Sequence, residues 1–362
     1  MRALVCALVA VIGLSAPPAF AQADRSAAAF WKTVQARCDA TAAKPPSELG
    51  RRIAQTATEE FNRFGGHRID ADGRLFRFGL TEAEHNQEDG GGGGQASFGR
   101  LGWWQVMKYW RALYGDDFGN KLEVRGYRDA SQATDPAQSA ELIDNDVGVL
   151  LRAADNASDA ATREILREAA LRAAIIDTPW SAAFISYVIR QAGVAADAFQ
   201  FSNAHRAYIY EAFATSAAEL SKEASKQIYR ACPMTTRPRA GDVICQQRES
   251  ALADASEAAV RERIRTELAG PPEARSVRRT HCEVVAHFDA KARKMYSIGG
   301  NVEQAVTARK LNLRRDLKFA ATQKGHCGGP NQWTLPQPAG AAGRTGNCSL
   351  NDRKWFVLLQ VR

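Results

Sequence analysis

The chain has 362 residues, 45% of them apolar and 24% charged, and a formal net charge of +8. That length suits one elaborated domain or two modest ones, and the apolar share is ordinary for a globular protein, which sets aside a disordered or fibrous chain. The positive excess favours anionic polymers, cell-wall or membrane-surface material before nucleic acid. The simpler reading is solubility, since Arg261, Arg263, Arg265, Arg275, Arg278 and Arg279 are mixed with glutamates.

The first residues, MRALVCALVAVIGLSAPPAFAQ, carry one cation, an apolar run from Ala3 to Leu14, and small residues Ala19 and Ala21 around Phe20. This predicts a signal peptide over residues 1–21 and no integral membrane span in the mature chain. Localisation is then periplasmic or secreted. Removing Cys6 with the leader leaves Cys38, Cys232, Cys245, Cys282, Cys327 and Cys348. An even count without a C-x-x-C pair favours disulfides over metal ligation in an oxidising compartment. Cys327 with Cys348 and Cys245 with Cys282 are the pairings expected, the second if their strands are neighbours.

From Ala27 to Gly66 apolar residues recur at helical spacing until FGGHRIDADG breaks the pattern. The loop Gly90 to Gly94 lacks the Lys-Ser/Thr ending of a phosphate loop and reads as a connection. LGWWQVMKYWRALYG places Trp103, Val106, Met107, Trp110 and Leu113 on one helix face, an arrangement expected for core, with Trp104 the one candidate for stacking on a sugar. Glu82, Glu84 and His85 cluster without a second ligand pair, so no metal site is expected. Residues 115–140, rich in Gly, Asp, Ser and Gln, read as a linker or long surface loop, and NDVGVLLRAADNASDAATREILREAALRAA as more helix.

The texture then changes. RPRAGDVIC leads through a Gly-Asp turn into a strand, and THCEVVAHF, KMYSIGGNV and KWFVLLQVR are strand-like, with a charged helical insertion between Cys245 and Thr280. Helices followed by an antiparallel sheet predict an α+β fold.

DTPWSAAFISYVIRQAG is the best-specified helix in the chain. Thr178 reads as its N-cap, Pro179 as its first residue and Gly193 as its stop, with an apolar stripe through Trp180, Ala183, Phe184, Tyr187 and Val188. Ser181 in its first turn is, by local rules, a structural serine. The segment resembles the opening helix of the NlpC and CHAP group of papain-like cell-wall hydrolases, which carry a nucleophilic cysteine at that helix N-terminus. Together PWSAAFISYVIRQAG, NAHRAYI, GDVIC, HCEVV, IGGNV and WFVLLQVR resemble the bacterial family called domain of unknown function 2272, over roughly 140–362.

The resemblance implies a papain-like core, an N-terminal helix packed on an antiparallel sheet, over 141–362, with an additional helical N-terminal region over 22–140. It implies Ser181 in the nucleophile's place, His281 as general base and Asn301 orienting the imidazole, without a cofactor or metal. Glu283, on the same strand face as His281, competes with Asn301, and His205 is an accessory candidate whose other reading is capping or packing at a helix start. Cys282, alternating with His281, is expected to point away from the cleft.

A helix dipole supplies at most about 2 kcal/mol, roughly 1.5 pKa units, enough to activate a thiol but not an alcohol. Ser181 therefore has to lose its proton to a base during attack. The implied activity is hydrolysis of amide bonds in peptidoglycan peptides. The alternatives are a catalytically inactive module that binds cell wall or a protein, and a serine esterase or acyltransferase.

Overall fold

The computed structural model describes residues 26–83, 101–128, 142–248, 252, 255–320, 323 and 349–362. The leader, the five-glycine loop, Glu84, His85, Cys327 and Cys348 lie outside the described residues.

Two serine-capped helices open the described chain, α1 (Ala27–Ala42) and α2 (Glu48–Arg63), with Ser26 and Ser47 accepting from Ala29 N and Gly50 N. Pro45 and Pro46 separate them. Phe30, Val34, Cys38 and Ala42, four residues apart, form the buried stripe of α1. Short strands β1 (His67–Ile69) and β2 (Leu75–Arg77) follow, then α3 (Gly102–Tyr114), whose Trp103, Val106, Met107 and Trp110 are buried as their spacing predicted.

The expected linker over 115–140 is partly a strand. β3 (Glu123–Arg128) pairs antiparallel with β4 (Leu142–Asp146), and the following helical stretch is two helices, α4 (Gly148–Asp155) and α5 (Ala160–Asp177). Composition misled here because a two-stranded ribbon can be built from polar residues when a neighbour fixes its backbone. That neighbour is Thr178, whose Oγ1 accepts from Glu123 N at 2.8 Å and donates to Glu123 O at 3.1 Å.

The remaining elements are α6 (Ser181–Gln191), α7 (His205–Leu220), β5 (Tyr229–Cys232), β6 (Val243–Gln247), α8 (Glu257–Glu267), β7 (Thr280–Asp289), β8 (Lys294–Val302), β9 (Ala305–Asn312) and β10 (Lys354–Val361). Eight strands form one sheet in the order β2-β1-β9-β8-β7-β6-β10-β5. All its neighbours run antiparallel except β1 against β9. The fold is therefore mixed α+β with a large, mostly antiparallel sheet. The sheet is not confined to the second half of the sequence, because β1 and β2 extend it past β9.

Both faces of the sheet are covered. Val243, Cys245, Cys282, Val284 and Ile298 join the apolar cluster of α3, α6 and α7, whereas Ile244, Val285, Leu311, Trp355 and Leu358 pack with Phe30, Val34 and Cys38 of α1. Two disulfides are present, Cys245–Cys282 between paired residues of β6 and β7, and Cys38–Cys232 between α1 and β5. Both suit an oxidising compartment. Among the described residues no helix is long and apolar enough to cross a membrane, and no group of His, Cys, Asp and Glu could hold a metal ion.

Candidate active site

Ser181 begins α6. The helix starts two residues later than the cap signals indicated, with Trp180 at the cap position, because Thr178 terminates α5 and is spent on Glu123. Ser181 is therefore the first helical residue, in the turn whose backbone N–H groups have no intrahelical acceptor. Trp180, fully buried, lies against Phe64 and Tyr109 with ring centroids 5.9 and 5.7 Å away, and its Nε1 donates to the Glu82 carboxylate. Burial pushes the Glu82 carboxyl up to about 7, against the lowering effect of that hydrogen bond.

Gly193, at φ +85°, ends α6 with Gly193 N bonded to Arg190 O and Val194 N to Ile189 O, the paired bonds of a Schellman stop. The chain then returns along the helix. Ser186 Oγ donates to Ser202 O at 2.8 Å and accepts from Ser202 N at 3.0 Å, which fixes the start of α7 beside the start of α6. This brings Ser181 Oγ to 2.7 Å from His205 Nε2. Tyr208, one turn along α7, places its hydroxyl against His205 Nδ1. Burial, then the neighbouring His281 and Arg248, hold the His205 imidazole well below its ordinary pKa, and burial keeps Tyr208 a neutral phenol. At neutral pH His205 is therefore uncharged and carries one ring proton.

The other expected residues sit across the rim of the sheet. The His281 ring meets the His205 ring at 5.2 Å between centroids, and neither of its nitrogens has a hydrogen-bond partner among the described residues. His281 Nε2 lies 3.5 Å from Glu283 Oε1, where the charge is felt but no hydrogen bond forms. Burial alone would raise the Glu283 pKa. Arg309 Nε at 2.7 Å from Oε1, the adjacent His281 and Ser297 Oγ donating to Oε2 at 2.6 Å outweigh it and hold the carboxylate at about 2. The His281 pKa is lowered by burial despite Glu283. The carboxylate beside Nε2 favours a proton there and leaves Nδ1 with a free lone pair.

Asn301 adopts a left-handed φ of +53° at the end of β8 and lines the same cleft as His281, of about 380 Å³, but makes no hydrogen bond to it. Gly299 and Gly300 make this corner possible. A Cβ on Gly299 would lie 2.7 Å from Glu283 Cγ, and one on Gly300 would lie 2.5 Å from Phe184 Cβ of α6. Cys282, expected to point away from the cleft, does so: it packs on the side of the sheet that α6 covers, while His281 and Glu283 alternate to the other side.

Ser181 thus has His205 as its hydrogen-bond partner, and His281 is reached through it. The residues not read from the sequence are Tyr208, Ser297 and Arg309. Arg309 was missed because TARKLN did not read as a strand, and its Glu283 partner lies on another one. Tyr208 had a signal, the three-residue helical spacing from His205.

No curated protein and no solved structure matches the chain. Residues 99–361 match the sequence model of a family described as uncharacterised proteins conserved in bacteria, domain of unknown function 2272, and with well over half its length inside that match the chain belongs to this family.

Proposed function

We propose that the chain is an exported acyl hydrolase in which Ser181 is the nucleophile and His205 the general base. The observation that carries this reading is the 2.7 Å contact between Ser181 Oγ and His205 Nε2, at a helix N-terminus whose free N–H groups can receive the developing oxyanion. For Nε2 to take the serine proton, the resting imidazole carries its proton on Nδ1 and donates it to Tyr208. Ser181 Oγ bonds to the substrate carbonyl carbon, its proton passes to Nε2, and the tetrahedral intermediate expels the leaving amine or alcohol as Nε2 returns that proton. Water repeats the sequence on the acyl-enzyme.

The substrate class in this reading is the amide bonds of peptidoglycan peptides, with a papain-like arrangement of helix and sheet and a periplasmic or secreted location. It is supported by the resemblance of the Ser181 helix to cell-wall hydrolases, by the disulfides and by the positive charge. His281 is a second candidate base, favoured by its unpaired Nδ1 beside the carboxylate-backed Nε2.

One observation favours an inactive, wall-binding module instead. Among the described residues no carboxylate touches His205, so the imidazolium formed during attack has only a phenol beside it. A fluorophosphonate probe separates the readings. Labelling of wild type at Ser181, lost in Ser181→Ala and reduced more by His205→Asn than by His281→Asn, is expected. The reverse order of the histidine variants transfers the base role to His281. No labelling of Ser181, with sacculus binding retained in Ser181→Ala, leaves the inactive module.

A further inference from the structure

The cleft containing His281 holds more positive charge than the proposed chemistry uses. Arg309 is committed to Glu283 and to Leu350 O. Arg248 and Arg353, which line the same cleft, have no acidic or carbonyl partner for their guanidiniums among the described residues. Arg353 is half-buried, and its burial, with repulsion from Arg309 and Arg248, lowers its pKa against the attraction of Glu303 and Glu283. Two carboxylates, Glu303 and Asp352, also line the cleft without forming an ion pair with either arginine. A half-buried guanidinium that feels Glu303 only from beyond contact distance is a poor structural element, because it bears the desolvation cost without a direct compensating pair.

A second observation points into the same space. His281 is 2% exposed and lines the cleft, and its Nδ1, the nitrogen not facing Glu283, has no hydrogen-bond partner among the described residues. Buried polar groups are nearly always satisfied, and those that are not commonly await a ligand or water. A ligand anion on Arg353 and Arg248, with a neighbouring amide meeting His281 and Asn301, would satisfy all of them.

We infer that this cleft is a binding site for a carboxylate, held by Arg353 and Arg248 and flanked by His281. The chemistry favours a planar carboxylate over a phosphate dianion, since it matches the guanidinium fork and Glu303 and Asp352 offset part of the charge of Arg248, Arg353 and Lys354. The site stands on the cleft alone. That the carboxylate is the free terminus of a peptide rests on the hydrolase reading, in which it anchors the substrate beside His281.

The test is equilibrium binding by NMR titration to the folded Ser181→Ala protein, so that turnover plays no part. The probes are N-acetyl-D-alanyl-D-alanine, its C-terminal carboxamide, and inorganic phosphate. The free acid should bind at least about tenfold more tightly than the amide, the scale of one charge-assisted contact. Arg353→Gln should reduce that preference to about twofold and Arg248→Gln should weaken it. Thermal melts of both variants check that they fold, and shifts at the His281 ring locate the ligand. Equal binding of acid and amide, a preference that survives both substitutions, tighter binding of phosphate, or no detectable binding of the acid each overturns the inference. Binding of the acid by a protein that never reacts with a fluorophosphonate keeps the carboxylate site and removes the hydrolase.

Discussion

Tyr208 occupies the place where a carboxylate stands behind the base of many serine–histidine pairs. A phenol kept neutral by burial can accept the Nδ1 proton and so select the tautomer that leaves Nε2 basic, but it supplies no charge to the imidazolium. Tyr208→Phe should therefore slow fluorophosphonate labelling of Ser181 at least about tenfold while costing only about 1 kcal/mol of stability. An unchanged labelling rate would remove Tyr208 from the mechanism. Glu82 offers a second test at this scale, through pH. Its folded pKa of about 7 lies above the ordinary 4.5, so its stabilising contribution is complete below the ordinary value and is lost as pH rises through 7. Glu82→Gln keeps an acceptor for Trp180 without that loss. Denaturant unfolding should show the variant gaining on wild type between pH 5 and 8, by at most about 1.4 kcal/mol per pH unit; a difference independent of pH would show that Glu82 is not protonated in the folded chain.

At the scale of elements, the glycines decide how close the layers approach. Gly300 lets α6 settle on β8, since a Cβ there would meet Phe184 Cβ at 2.5 Å and Trp180 Cζ3 at 2.7 Å. Gly300→Ala should cost about 1–3 kcal/mol by overpacking and shift Ser181 relative to the rim. Reduced labelling in a variant that still folds would confirm the coupling; a stability equal to wild type would mean that the layers yield without strain. Gly241 and Gly50 form a similar contact where α2 crosses the Gly-Asp turn, with a Cβ on Gly241 only 2.3 Å from Gly50 Cα.

The elements themselves were largely legible. The stripe of α3 and the Schellman stop at Gly193 follow from local spacing, while the Cys245–Cys282 disulfide was expected only if β6 and β7 are neighbours, as the sheet makes them. The start of α6 was not legible, because Thr178 serves a strand 55 residues earlier instead of its own helix. Nor was the Ser181–His205 contact, since it depends on Ser186 holding Ser202 and so on where the chain returns. His281 was placed correctly at the opening of its strand, but its relation to Ser181 is set by α7, which local rules gave no reason to insert between them.

The whole molecule is tied together from distant parts. Cys38–Cys232 joins residues 194 apart in sequence, and chain-entropy arguments assign such a loop about 5 kcal/mol. Replacing both cysteines by serine should lower the unfolding free energy by that order, measured in urea under non-reducing conditions; a change within error would show that α1 is held by packing alone. The family match begins at residue 99, yet α1, α2, β1 and β2 lie before it and complete both the core and the sheet.

The parallel pairing of β1 with β9 also constrains how the chain comes to be folded. His67 pairs with Thr307, so the first strand to leave the ribosome has no neighbour on that side until almost the entire chain has been made. Such late closure makes folding slow and leaves a bare strand edge open to other chains.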